Sequence, residues 1–197
     1  MGLFKAIQEY TMNNLIKKLK DELSEGRFIH SLGVAECAKE LALRFGCSAE
    51  QAYLAGLLHD CATKYPPAEI LSLAIREGLC APDATITNPT AEFHARLGAI
   101  VAKNEYGIID PEILNAIALH QIGGVPMSKL DIIVSLADAI EPSRTGERIE
   151  AIRKIAKTNL IAAYLDKCQL YMENILASSK TIPQERIDVF NYVTTLL

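Results

Sequence analysis

The chain has 197 residues, half of them hydrophobic and 22% charged, with a formal net charge of -4 and a pI near 5.6. That length and apolar content suit one domain with a sizeable core, expected to span residues 1–197 with a C-terminal helical extension. The acidic balance, without a basic stripe, excludes polymeric nucleic acid as the expected partner, and no run of about 18 apolar residues offers a membrane span.

From the N-terminus, MGLFKAIQEYTMNNL has polar residues throughout and no small-residue cleavage site, so it does not read as a signal peptide. A soluble, cytoplasmic protein is expected. Residues 3–23 carry Leu3, Ile7, Tyr10, Leu15 and Leu19 at helical spacing, with Lys and Glu between them. A second helix over 27–45 runs through Val34, Ala38, Leu41 and Phe45, and Gly46 stops it. Ser48 caps a third over 49–60, with Glu50 in its first turn. Pro66 and Pro67 break the chain and open a helix ending near Gly78. The stretch LCAPDATITNPT is the longest loop expected. Helices follow over 90–105, 111–121, 127–141 and 147–178, and Pro183 starts a last short one through IDVFNYVTTLL. No segment alternates with a period of two, so the fold class is all-α. The apolar helix 127–141 and the N-terminal helix are candidates for core or for the surface of a homodimer.

The five cysteines form no CxxC and are odd in number, which fits reduced thiols better than a disulfide framework. Cys61 stands beside a His-Asp pair but reads as a small buried residue rather than a ligand.

The chemistry sits in the histidines. All four, His30, His59, His94 and His120, lie inside or at the end of apolar, helix-patterned stretches, with Asp60 directly after the second and Asp138 further on. Neutral imidazole and carboxylate are the usual ligands of Zn, Fe or Mn. Alone, His30 or His94 would be read as a satisfied or surface histidine, and Asp138 as a salt-bridged core acid. Six such residues in one ordered pattern, each about one helix and one connection apart, point instead to a metal centre built from antiparallel helices. His59 and Asp60 are neighbours, so on a helix they point about 100° apart. They can converge at a helix end, where the backbone loosens, or by serving two different metals about 3.5–4 Å apart. The apolar run before them also suggests a partly buried carboxylate, which needs a cation or several donors.

The order H…HD…H…H…D resembles the HD-domain superfamily of metal-dependent phosphohydrolases, whose minimal set maps onto His30, His59, Asp60 and Asp138. The added His94 and His120 are similar to the subset holding two metals. The flanking text RFIHSLGVAECAKELA, AGLLHDCATKYP, HARLGAIVAKNEYGI, ILNAIALHQIGG and LADAIEPSR resembles the YqeK family, from about residue 10 to the C-terminus. Those are small proteins that hydrolyse diadenosine tetraphosphate (Ap4A) symmetrically into two ADP. The resemblance implies an HD-domain helical bundle with two divalent metal ions. Iron is the expected metal, with Mn, Zn or Co as alternatives that the N/O ligand set also suits. It places one metal on His30, His59, Asp60 and Asp138 and the second on Asp60, His94 and His120, with a water between them attacking phosphorus. Metals lower the pKa of bound water, and phosphoryl transfer needs charge neutralisation and in-line positioning more than covalent help.

The substrate side is a dinucleoside polyphosphate or nucleotide. Arg27 shares a helix face with His30, while Lys64 and Arg144 follow the motif acids; these and Asp60 are the candidate phosphate-side residues, with Asp60 and Lys64 the candidate catalytic pair. The family's usual Lys, three residues after the motif Asp, is Thr63 here, with Lys64 one later, and Gln121 stands where a Thr is common. Gly123 and Gly124 allow close backbone approach to phosphate or ribose. By resemblance a C-terminal loop lies against adenine, which makes Ile182, Pro183 and Arg186 candidates for the base and ribose. The competing expectations are a one-metal mononucleotide phosphohydrolase of 5′-nucleotidase type, against which His94 and His120 argue, and a non-catalytic nucleotide-sensing module. The latter normally lacks a ligand; this chain lacks none. A nicotinate-nucleotide adenylyltransferase is set aside, since neither strands nor an HxGH-type motif are present.

Overall fold

The computed structural model describes the backbone of residues 2–197 and the side chains of residues 12–197. Leu3, Ile7 and Tyr10 therefore lie outside the described side chains. Among the described residues there is no strand. The helices are α1 Gly2–Glu22, α2 Glu25–Phe45, α3 Ala49–Leu58, α4 Pro67–Arg76, α5 Pro89–Tyr106, α6 Pro111–Leu119, α7 Lys129–Ile140, α8 Glu147–Ile155, α9 Leu160–Ala177 and α10 Gln184–Thr194, with one 3-10 turn at Cys61–Lys64. No described helix is long and apolar enough to cross a membrane.

The stops and starts follow local chemistry. Gly46 ends α2 in the left-handed region at φ 68°, where glycine carries no Cβ penalty. Ser48 accepts from Gln51 N to open α3, Asn88 from Ala91 N to open α5, and Asp110 from Glu112 N to open α6, each satisfying an orphan donor. Pro67, Pro89 and Pro111 occupy first-turn positions, where the missing N–H has no intrahelical partner to lose. Ser128 and Asp131 form a reciprocal capping box at α7.

One helix comes out differently from expectation. The stretch 147–178 is two helices, because Ala156–Thr158 turn and the Asn159 side chain accepts from Ala162 N to start α9 afresh. The apolar positions on both sides keep helical spacing, so periodicity alone runs straight across the break.

The bundle is organised around α7. Leu130 through Ala137, with Ala139 and Ile140, are all buried, so this largely apolar helix is covered on every side, as core helices are. It packs against α2, α3, α6, α8 and α9, which settles 127–141 as core. Fully burying each of its Ile and Leu side chains contributes about 1.5–3 kcal/mol. The tightest crossing is α2 on α3, where a Cβ on Gly56 would stand 3.0 Å from Ala35 Cα. That glycine lets α3 lie close enough to α2 for His59, at the end of α3, to reach His30.

Candidate metal centre

All four histidines are oriented by the same device. His59 caps the C-terminus of α3 and its Nδ1 lies 2.7 Å from Gly56 O; His120 caps α6 and its Nδ1 lies 2.8 Å from Ile117 O. His94, one turn into α5, places Nδ1 2.7 Å from Thr90 O, and His30 on α2 places Nδ1 3.0 Å from Glu141 Oε1. Carbonyls and carboxylates only accept, so each Nδ1 carries the proton and donates. His59, His94 and His120 keep the Nε2 lone pair, His30 sets its Nε2 against Asp138, and all four turn to one centre.

There the rings form a chain, His30 to His59 to His120 to His94, with centroids 5.1, 4.8 and 5.1 Å apart. The carboxylates fill the gaps. Asp138 Oδ1 is 3.0 Å from His30 Nε2 and 3.8 Å from His59 Nε2. Asp60 straddles the chain, with Oδ2 3.6 Å from His59 Nε2 and Oδ1 3.5 Å from His94 Nε2. The helix does end at the His-Asp pair: Asp60 has φ -105° and ψ 13°, outside the helix, which swings its carboxylate toward the imidazole of its neighbour.

The donor set fits divalent cations. His59 Nε2 is buried with no hydrogen-bond partner, an arrangement that is expensive unless something electropositive sits against the lone pair. His94 and His120 bring Nε2 to within 3.2 Å of Nε2, and two lone pairs hold that distance comfortably only around a cation or a proton. Ligand atoms of His30, His59 and Asp138 all lie within 4.8 Å of one another, as do those of His59, Asp60 and His120. Burial pushes the His120 pKa down to about 4, with the neighbouring His59 adding to it, and burial likewise lowers His94 beside His120. Burial opposes ionisation of Asp60, but the surrounding histidines and the Arg27 guanidinium outweigh it and bring the pKa to about 2. Asp138 is held well below the carboxylate range against the same burial, chiefly by its hydrogen bond from His30. His94 and His120 are thereby favoured as neutral imidazoles beside ionised carboxylates, the states that ligands need, whereas the hydrogen bonds from His30 to Asp138 and Glu141 outweigh its burial and raise its pKa.

Above the centre lies a cleft of about 350 Å³, lined in part by Arg27, Thr63, Asn88, Gln121, Arg144 and Tyr171. Each motif carboxylate carries one arginine: Arg27 Nη1 is 2.5 Å from Asp60 Oδ2, and Arg144 Nη2 is 3.0 Å from Asp138 Oδ1. Both guanidiniums keep further N–H groups at the cleft, and Gln121 is held across it by donating to Ala91 O at 2.7 Å.

Not every candidate is brought here. Lys64 is drawn away: its Nζ donates to Glu22 at 2.9 Å and Glu105 at 2.6 Å, on the α1 and α5 side, and two carboxylates outbid a distant cleft. Thr63, not Lys64, lines the cleft, and its hydroxyl donates to Asp60 O at 2.8 Å. Gly123 faces Val189, Met127 and Tyr164, where a Cβ would meet atoms at 2.9–3.1 Å, so it serves packing under α10. Ile182 and Pro183 precede α10 outside the cleft lining, whereas Arg186 reaches its edge, 3.4 Å from Gln121 O and with its guanidinium carbon 5.7 Å from the Tyr171 ring centroid. The Cys61 thiol turns to Gly98, donating to its O at 3.3 Å, and burial pushes its pKa up.

Three residues that the motif pattern does not single out support the centre. Glu141 holds His30. Ser135 donates to His120 O at 2.5 Å, and the buried Lys167 donates to that hydroxyl at 2.7 Å. A lysine on the apolar face of α9 is the one sequence signal that marks the last.

Residues 27–143 match the HD domain family. The chain is 30% identical to the symmetrical bis(5′-nucleosyl)-tetraphosphatase of Bacillus subtilis, over 90% of this chain and 94% of that one. With the protein of the same description from Halalkalibacterium halodurans it shares 33% identity over 89% and 93%. Among solved structures, a predicted HD superfamily hydrolase involved in NAD metabolism from Clostridium acetobutylicum superposes with a TM-score of 0.87 at 33% identity, covering 94% of this chain and 98% of that one. With likeness of this depth along nearly its whole length, the chain belongs to the HD-domain family, in the branch of the symmetrical bis(5′-nucleosyl)-tetraphosphatases.

Proposed function

We propose that the protein hydrolyses Ap4A and related dinucleoside tetraphosphates symmetrically, giving two nucleoside diphosphates, at a centre holding two divalent metal ions, iron by preference. The observation that carries this is Asp60, whose two oxygens face different histidines at 3.5 and 3.6 Å. A carboxylate so placed joins two neighbouring donor sets, His30, His59 and Asp138 on one side and His94 and His120 on the other. Bound there, the cations supply an activated water and neutralise phosphate charge.

The chain's own residues do the rest. Arg27 and Arg144 offset Asp60 and Asp138 one for one. The cleft is therefore nearly neutral by itself and depends on cations to draw in a polyanion. Each guanidinium presents N–H pairs that match phosphate oxygens bidentately, holding the chain of phosphates across the centre. Gln121 and Arg186 offer further donors at the rim, and Asn88 closes it from α5. Lys64 is assigned to holding α1 and α5 together rather than to catalysis. One HD domain is proposed to occupy the whole length, with α9 and α10 as its C-terminal extension behind the cleft.

The test is anaerobic incubation of Fe- or Mn-loaded protein with Ap4A, separating products by ion exchange. ADP as sole product is expected. AMP plus ATP would overturn the symmetry, and release of phosphate from mononucleotides with Ap4A untouched would make the protein a nucleotidase instead.

A further inference from the structure

Beside the metal cleft lies a second cavity, of about 410 Å³, and the two share Arg144 and Tyr171 as a common wall. Their linings differ in kind. The cleft carries Arg27, the histidines and the motif carboxylates. Beyond Tyr171 the walls are Ala139, Ile149 and Leu170, with Thr145 and Asn174 at the rim. The one other cation there, Arg148, is taken up by Asp166 and lies 3.9 Å from Glu173, and Glu147 adds a carboxylate. Phosphate would gain nothing from such a space. A flat, neutral group with apolar faces and hydrogen-bonding edges suits it, as small-molecule pockets of this lining usually show.

We infer that this cavity receives the nucleoside of one half of the dinucleoside polyphosphate, with the phosphates of that half passing Arg144 into the metal cleft. The inference rests on the proposed activity and adds where one nucleoside goes. Cleavage at the middle of a symmetrical substrate puts the scissile bridge at the centre, with the same length of chain on either side. Its two nucleosides must then lie in different directions from the metals. A cavity one wall away from Asp138 meets that requirement for one of them. Arg144 suits the boundary, because one edge of its guanidinium is held by Asp138 Oδ1 at 3.0 Å while the residue faces both spaces. The Tyr171 ring offers a face for stacking, and the Asn174 amide and Glu147 carboxylate offer a donor and acceptors to a base edge or ribose hydroxyls.

Thr145 and Asn174 are both exposed, so enlarging either fills the cavity without disturbing the core. The experiment is calorimetric titration of the Mn-loaded wild type, Asn174→Trp and Thr145→Trp with an Ap4A analogue carrying a methylene at the central bridge, and separately with inorganic tripolyphosphate. The expected result is analogue binding weakened on the order of tenfold in the variants, the scale of a lost pocket contact, with tripolyphosphate within about twofold of wild type. Unchanged analogue binding in both variants would overturn the subsite. Equal weakening of both ligands would also overturn it, because the change would then lie in the phosphate site. If wild type turns over no Ap4A while the variants still lose affinity for the analogue alone, the proposed activity fails and the nucleoside subsite stands.

Discussion

Glu141 is 1% exposed, and its carboxylate is fully engaged: Oε1 accepts from His30 Nδ1 at 3.0 Å, Oε2 accepts from Ser143 N at 2.7 Å, and the Ser143 hydroxyl donates to it as well. A carboxylate behind a ligating histidine fixes the ring's tautomer and raises its basicity. Gly33 is the counterpart on α2, since a Cβ there would stand 2.7 Å from Glu141 Oε2. Glu141→Gln is therefore expected to weaken metal binding about 10–100-fold, read by competition with a graded chelator. Gly33→Ala should show the same loss by displacing the carboxylate rather than removing its charge. If both variants hold metal as tightly as wild type, Glu141 does not orient His30. Nothing in IEPS marks this glutamate, because its partner is 111 residues away in sequence. The six candidate ligands stand out in the sequence for the opposite reason: their residue types are rare on apolar helix faces, and their order repeats a known pattern.

Among the elements, α1, the 3-10 turn and α5 meet at a clamp rather than at an apolar seam. Lys64 pairs with Glu22 and Glu105, Tyr106 donates to Glu22 at 2.5 Å, and Tyr65 donates to Glu105. Burial works against every charge here, yet mutual hydrogen bonding lowers the pKa of both glutamates from 4.5 and raises that of Lys64 above 10.5. The depressed glutamates contribute stability that is present above pH 4.5 and lost as pH falls through their folded values. The raised lysine contributes stability that is present below pH 10.5 and lost as pH rises through its folded value. Melting temperature should accordingly be flat between these limits and fall on both sides. Lys64→Met should lower Tm by about 2–4 °C, the equivalent of about 1 kcal/mol for a partly exposed network in a chain of this size, and leave kcat within about twofold. A collapse of kcat with unchanged Tm would return Lys64 to the catalytic machinery. Sequence placed Lys64 beside the motif and could not show its direction, since one residue's step along a 3-10 turn decides whether a side chain faces the cleft, as Thr63 does, or the clamp. The same kind of gap explains 147–178: helical spacing persists across the break, and only the Asn159 cap divides it.

At the scale of the molecule, the centre ties together helices that are far apart in sequence. His30 comes from α2, His59 and Asp60 from the end of α3, His94 from α5, His120 from the end of α6 and Asp138 from α7. The all-α class and the helix order were legible from periodicity and caps, but the depth of α7 was not, because an apolar helix reads alike in a core and at an interface. Its neighbours decide it, and five of the helices around the bundle present their ends to one spot. A cation bound there links them at once, in the folded state only, so it must stabilise the fold by mass action. With free metal at about 100 times Kd the gain is about 2.7 kcal/mol, or roughly 5–10 °C in Tm for a chain of this length. Stripping the protein with a chelator should lower Tm by that amount, and readding Mn should restore it. Hydrogen exchange should speed at the C-terminal ends of α3 and α6, whose last carbonyls hold His59 and His120, before it speeds in the middle of α7. His94→Ala should lose part of the metal-dependent shift, because its donor set is on one side of Asp60, and Asp60→Ala, which removes the carboxylate joining both sets, should lose nearly all of it. Equal Tm with and without metal in the wild type would mean that these helices are fixed by packing alone and that the donor set does not close around a cation.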